Sequence, residues 1–268
     1  MIYLVATPIG NLKDITIRAL EILKKADVIA CEDTRTTKVL LDNYEINKKL
    51  ISYHKFNEYN RADEIIEMAL SGLDIAIVSD AGMPGISDPG NIMVKKAIEN
   101  GIEYTVIPGA SAFTTALVLS GFNNESFVFR GFLPNKGSER NKILKEISGE
   151  TKTQILYESP HKIDKTMEDF LEFIPDRKVA IVREISKMFE TVNTFRVDEY
   201  KDQDIVKKGE MVIVIDSQEL CNEITDEFIF NKLIEEINKG ESKKSAVKNV
   251  CKEFDLPKNR VYEISLNI

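Results

Sequence analysis

The sequence predicts an α/β protein: two α/β domains followed by a small C-terminal helical region. Three observations carry this. In the first hundred residues, short apolar runs alternate with segments of helical periodicity, the pattern of a mainly parallel sheet with helices on both faces. After Gly121 the apolar runs follow one another with little room for helices between them, which points to a mixed sheet. From Asp226 onward only helical periods remain.

The elements follow in order. Ile2–Ala6, Val28–Cys31, Ile75–Val78 and Tyr104–Ile107 are buried-strand candidates. Ile15, Ala19, Leu20 and Leu23 mark a helix for which Asp14 is the expected N-cap. Ala62, Ile65, Ile66, Ala69 and Leu70 mark another. Phe127–Leu133, Gln154–Tyr157, Val179–Glu184, Glu190–Val197 and Met211–Asp216 are the strands expected in the second sheet. In the tail, Ile229, Leu233, Ile234 and Ile237 form one helical face, and Ala246, Val247, Val250, Cys251 and Phe254 form the next. A break at Leu256–Asn259 precedes a last short helix with Pro257 in its first turn. The expected domains are 1–116, 117–222 and 223–268.

Composition narrows the function classes. The chain has 268 residues, 36 Lys and Arg against 44 Asp and Glu, and a net charge of −8. Binding to nucleic acid would therefore rest on a local patch. Lys239 to Tyr262 is such a patch, with seven Lys or Arg and three Asp or Glu. Cys31, Cys221 and Cys251 are far apart and form no C-x-x-C pair, which argues against a disulfide framework or structural zinc and fits a reducing, cytoplasmic setting. Two histidines without ligand spacing give no expectation of a metal. The N-terminus has no basic start and too short an apolar run for a signal peptide. Tyr104–Asn124 carries no charge, but Pro108, Gly109 and Gly121 read as a buried strand, turn and helix rather than a membrane span.

Proline and glycine cluster just past three predicted parallel strands: Pro8 and Gly10, the run Gly82–Gly90, and Pro108 with Gly109. Ligands bind at that edge of open α/β sheets. The loop Ser79–Gly90 is long, and it is neither a P-loop nor a dinucleotide fingerprint. Its acids, Asp80 and Asp88, disfavour phosphate and favour hydroxyl, amine or sulfonium groups. A turn rich in Asx caps is the plain alternative.

The segments TPIGNLKDIT, CEDTRTTKVLL, SDAGMPGISDPG and IPGASAFTTAL, in this order, resemble the tetrapyrrole methylase superfamily. With FRGFLP, YESPH and the tail GESKKSAVKNVCKEFDLPKNRVYE, the chain is similar over nearly its whole length to the ribosomal RNA small subunit methyltransferase I branch. Lys162 departs from that pattern, where Arg is expected after Ser-Pro-His. Lysine lacks the planar fork for a bidentate phosphate contact. The resemblance implies two α/β domains with S-adenosylmethionine in a cleft, a homodimer, and methylation of a cytidine 2′-hydroxyl in 16S RNA of the small ribosomal subunit. It places the cofactor on Pro8, Ile9, Gly10, Asp80, Ala81, Gly82, Met83, Ser111 and Ala112, and near Tyr157 and Met211.

Methyl transfer from a sulfonium is mostly a matter of positioning, and a ribose hydroxyl gains from a general base. Glu32, Asp33 and His54 are the candidates, with Glu158 and His161 beside them. Asp33 before Thr34 equally fits a helix cap. Arg35, Lys38, Tyr53, Lys55, Ser159, His161, Lys162, Lys243 and Lys244 are the candidates for holding RNA. The Tyr53–Glu58 stretch offers aromatic rings for bases, and also fits an ordinary surface loop. The basic tail also fits a solvated helical cap. A small-molecule methylase on the same scaffold, or a non-catalytic RNA-binding protein, are the alternatives at this level.

Overall fold

A computed structural model describes residues 1–218, 226–254 and 256–268. Residues 1–218 form one compact unit and the C-terminal helices another. Cys221 and the expected boundary at 222/223 lie outside the described residues.

The first sheet is wholly parallel, with strands β1 (Ile2–Val5), β2 (Val28–Cys31), β3 (Lys49–Ser52), β4 (Ile75–Val78) and β5 (Tyr104–Ile107) in the order β3-β2-β4-β1-β5. Strand alternation sorts its side chains into two cores. Ile2, Leu4, Ile75 and Ile77 face α3 (Glu58–Leu70) and α4 (Asn91–Glu99). Tyr3, Val5, Ala76 and Val78 face α1 (Ile17–Lys25) and α2 (Thr34–Asn43). Each fully buried Ile or Leu contributes about 1.5–3 kcal/mol. The N-cap of α1 is Thr16, whose hydroxyl accepts from the Ala19 N–H at 3.1 Å; Asp14, expected there, instead ends a short 3₁₀ turn.

The second sheet is mixed. β6 (Phe127–Phe132) runs parallel to β7 (Thr153–Glu158), while β10 (Met211–Ile215) lies antiparallel between β7 and β8 (Lys178–Arg183), with β9 (Thr191–Arg196) at the far edge. Helices α6 (Ser138–Gly149) and α7 (Ile163–Phe173) cover one face. Helix α5 (Ala112–Ser120) covers the other through Ala116 and Leu117, against Ile155, Val182 and Val212. The change of sheet thus precedes α5, and residues 112–116, expected with the first sheet, pack on the second.

The C-terminal unit holds α8 (Asp226–Asn238), α9 (Lys243–Glu253) and α10 (Lys258–Ser265) around Ile229, Leu233, Val247, Val250 and Val261. Pro257 is the N-cap of α10 rather than a first-turn residue. Among the described residues, no helix is long and apolar enough to cross a membrane.

Candidate active site

The chain leaves β1 toward one edge of its sheet and β4 toward the other, so the loops after these neighbouring strands open a crevice. The two loops are joined. Thr7 and Gly82 exchange backbone hydrogen bonds of 2.9 and 3.1 Å, and the Thr7 hydroxyl donates to the Ser79 carbonyl at 3.1 Å. Gly82 holds φ +79, and a Cβ there would also lie 3.3 Å from the Ile9 side chain. Glycine is required on both counts.

A cavity of about 450 Å³ lies in this crevice. The first sheet supplies Ile9, Glu32, Asp80–Met83 and Asp88; the start of α5 supplies Ser111, Ala112 and Phe113; the second sheet supplies Phe132, Tyr157, Glu158, Ser159 and Met211. Of the expected cofactor residues, Pro8 and Gly10 are not in the wall. Gly10 packs against the β8–β9 connection, where a Cβ would sit 2.5 Å from Lys187 Cγ and 2.8 Å from the Ile185 carbonyl. Its lack of a side chain serves that approach.

Five carboxylates line the cavity: Glu32, Asp80, Asp88, Glu158 and Glu210. Burial raises the Glu32, Asp80 and Asp88 carboxyls above their ordinary values, and for Glu32 and Asp88 mutual repulsion within the set adds to this. Asp80 Oδ1 accepts the Asp33 backbone N–H at 3.0 Å. Opposite, the side chain of Ser111, the N-cap of α5, makes no capping bond. The first N–H groups of that helix are therefore open to an anionic group.

The other catalytic candidates fare differently. The Asp33 carboxylate caps α2 through the Arg35 N–H at 2.8 Å and pairs with the Arg35 guanidinium at 2.6 Å, which holds it down at about 2. It does not line the cavity and is a poor proton acceptor. His54 also lies outside the wall. Its Nδ1 is buried without a hydrogen-bond partner.

Glu158 is buried. Its carboxylate accepts the Ser159 N–H at 2.7 Å and the Thr166 hydroxyl. Arg140, itself buried, donates to Thr166 Oγ1 at 3.0 Å, to the Pro134 carbonyl at 2.8 Å and to Asp169 at 2.7 Å. This network ties α6 and α7 to the loops after β6 and β7.

Among the RNA-holding candidates, Ser159 lines the cavity. Tyr53 does not face solvent: it is 1% exposed in the core under α3, with its hydroxyl donating to Glu58 at 3.1 Å. Arg35 and Lys38 are exposed but paired with Asp33 and Asp42, Lys55 and His161 are exposed, and Lys162 bonds Asn135. In the C-terminal unit, Lys243 and Lys244 are exposed in the first turn of α9, and Lys244, Lys248 and Lys252 fall on the face opposite its buried residues. Asp88, Phe113 and Phe132 were not anticipated in the wall. Asp88 was visible as the second acid of the Ser79–Gly90 loop. Among the described residues, no group of three or more His, Cys, Asp or Glu is arranged to hold a metal.

Residues 1–201 match the family described as Tetrapyrrole (Corrin/Porphyrin) Methylases. A ribosomal RNA small subunit methyltransferase I from Halalkalibacterium halodurans is 40% identical over 98% of this chain and 93% of its own. Its namesake from Thermotoga maritima is 44% identical over 81% of this chain and 98% of its own. Among solved structures, uroporphyrin-III C-methyltransferase from Thermus thermophilus complexed with S-adenyl homocysteine covers 80% of this chain and 96% of its own at a TM-score of 0.57. Its 16% identity marks a shared fold only. By sequence, the chain belongs to the tetrapyrrole methylase family, in its ribosomal RNA small subunit methyltransferase I group.

Proposed function

We propose that this protein transfers the methyl group of S-adenosylmethionine to the 2′-hydroxyl of a cytidine in 16S RNA of the small ribosomal subunit. The observation that carries the proposal is an acid-ringed, partly apolar cavity in a chain 40% identical, along its length, to a ribosomal RNA methyltransferase. The residues present fit the cofactor. The volume suits a nucleoside carrying an amino acid, the carboxylates suit its positive charge, and the open helix start at Ser111 suits its carboxylate. Ile9, Met83 and Ala112 offer apolar surface to its adenine.

Bound there, the cofactor supplies a methyl group already activated for displacement. Asp80 keeps one oxygen on the Asp33 N–H and turns the other to the ligand. Glu32 is the proton acceptor for the ribose hydroxyl, because it lines the cavity and holds its proton to higher pH than a solvated glutamate. Ser159, His161 and Lys162 hold RNA at the rim, with Arg35, Lys38 and Lys55 further out and Lys243 and Lys244 on the C-terminal unit. A ribosomal substrate places the reaction in the cytoplasm.

A homodimer belongs to the same proposal. The edge strand β5 leaves Tyr104 and Val106 exposed, and α5 leaves Val118 71% exposed. Light scattering at twice the chain mass tests it.

For the activity, purified protein and tritiated S-adenosylmethionine are incubated with small subunits from a strain lacking the modification, and the product is mapped by mass spectrometry. Label on a cytidine ribose is expected. Label on a base, or none, overturns the proposal.

A further inference from the structure

We propose that Phe132 is a stacking platform for an unpaired base of the substrate RNA at the cavity. This rests on the function proposed above and names how that site grips its substrate.

The argument begins with strand register. Phe129 faces α5, where its ring stacks on Phe113 at 4.5 Å. Regular alternation would keep residue 131 on that face and send Phe132 to the opposite side. The pairing with β7 slips instead. Phe129 pairs with Ile155, Gly131 pairs with Leu156, and Phe132 pairs with Tyr157, which leaves Arg130 as an extra residue. Gly131 takes φ +64, a conformation open to glycine. The bulge reverses the alternation and brings Phe132 to the face of Tyr157, with ring centroids 5.4 Å apart. Tyr157 in turn meets Phe129 edge-on at 5.1 Å.

The result is a row of rings, Phe113, Phe129, Tyr157 and Phe132, of which all but Phe129 line the cavity. Its first three members are half-buried. Phe132 ends the row in the cavity wall and is 60% exposed. Burying that ring would stabilise the fold, so a bulge that holds it in water calls for an occupant.

The surroundings select the occupant. Glu32, Asp80 and Asp88 repel phosphate, so the part of a nucleotide that can lie beside them is the flat, uncharged base. Cations stand to one side: the loop after Phe132 carries Lys136, and Lys162 bonds its Asn135. A nucleotide drawn out of its helix finds a ring for its base and lysines for its phosphates.

The test uses the full chain with Phe132→Ala, Phe132→Leu and Phe132→Trp. It measures kcat/KM on small subunits, equilibrium binding to them, and cofactor affinity by calorimetry. Phe132→Ala and Phe132→Leu are expected to lose roughly 5- to 150-fold in kcat/KM and in subunit binding. Phe132→Trp should stay within about threefold of the wild type, since it keeps a π-face. Cofactor affinity should not change in any of them. Equal performance by Phe132→Leu overturns the proposal, because apolar bulk then suffices. Weakened cofactor binding also overturns it, because the ring then serves the adenine. A wild type that binds subunits without methylating them refutes the proposed function, and Phe132 is then judged on the binding data.

Discussion

Arg140→Met should loosen the cavity from behind. Arg140 is 4% exposed, and its guanidinium reaches three partners: Asp169 at 2.7 Å, the Pro134 carbonyl at 2.8 Å and Thr166 Oγ1 at 3.0 Å. Methionine fills much of the same volume and bonds none of them. The Pro134 carbonyl and the Thr166 hydroxyl lose a charged donor, and such bonds are worth about 1.5–3 kcal/mol each. The Asp169 side chain is 23% exposed and can turn to water, so that side adds little. The expected loss is about 3–6 kcal/mol, read as a lower urea midpoint at unchanged slope. In a thermal scan it corresponds to about 6–24 °C. Because Thr166 orients Glu158, and Glu158 holds the Ser159 N–H, KM for small subunits should rise while cofactor affinity holds. A loss under about 1 kcal/mol would show that water replaces the guanidinium and that the network holds nothing together. An unchanged KM would separate the network from the site.

Two further outcomes follow from the charges. Glu32→Gln should lower kcat at least about 100-fold with little effect on cofactor affinity. The active form of Glu32 is ionised and its carboxyl is raised, so wild-type kcat should fall as pH drops through a limb above the ordinary glutamate range; a limb that persists unchanged in Glu32→Gln refutes the assignment. Replacing Lys244, Lys248 and Lys252 together by Glu should weaken subunit binding and flatten its salt dependence by about one unit of slope for each phosphate no longer neutralised, and an unaltered slope would make the α9 stripe an ordinary solvated face.

The strands that position the site were legible because each is a short apolar run next to a glycine-rich loop. Ile75–Val78 before Ser79–Gly90 is the clearest case, and that loop supplies Asp80–Met83 to the wall. Strand β3 was missed because Lys49–Ser52 follows Lys48 and sits at the edge of the sheet, where burial imposes no apolar pattern. Tyr53 was misread for the opposite reason. Its neighbours His54 and Lys55 are polar, and only the fold shows that its ring turns inward while its hydroxyl finds Glu58. Asp33 carried both of its sequence signals truthfully, an acid near the cleft and a cap before Thr34, and the ion pair with Arg35 decided between them. Phe132 could not be placed, because a one-residue slip between Phe129 and Gly131 leaves no mark in composition or periodicity.

The position of β10 bears on how the protein is made. Strands β7 and β8 do not pair with each other; each pairs with β10, the last strand of the 1–218 unit. On the ribosome, the second sheet therefore cannot close until residues 211–215 emerge. At roughly 5–20 residues per second, β7 waits for seconds with an open edge. Its exposed ladder groups and apolar faces are then available to other nascent chains. Any premature stop before residue 211 leaves the sheet in two halves rather than trimming its margin. The translation apparatus thus has to release almost the whole α/β unit before that unit can close.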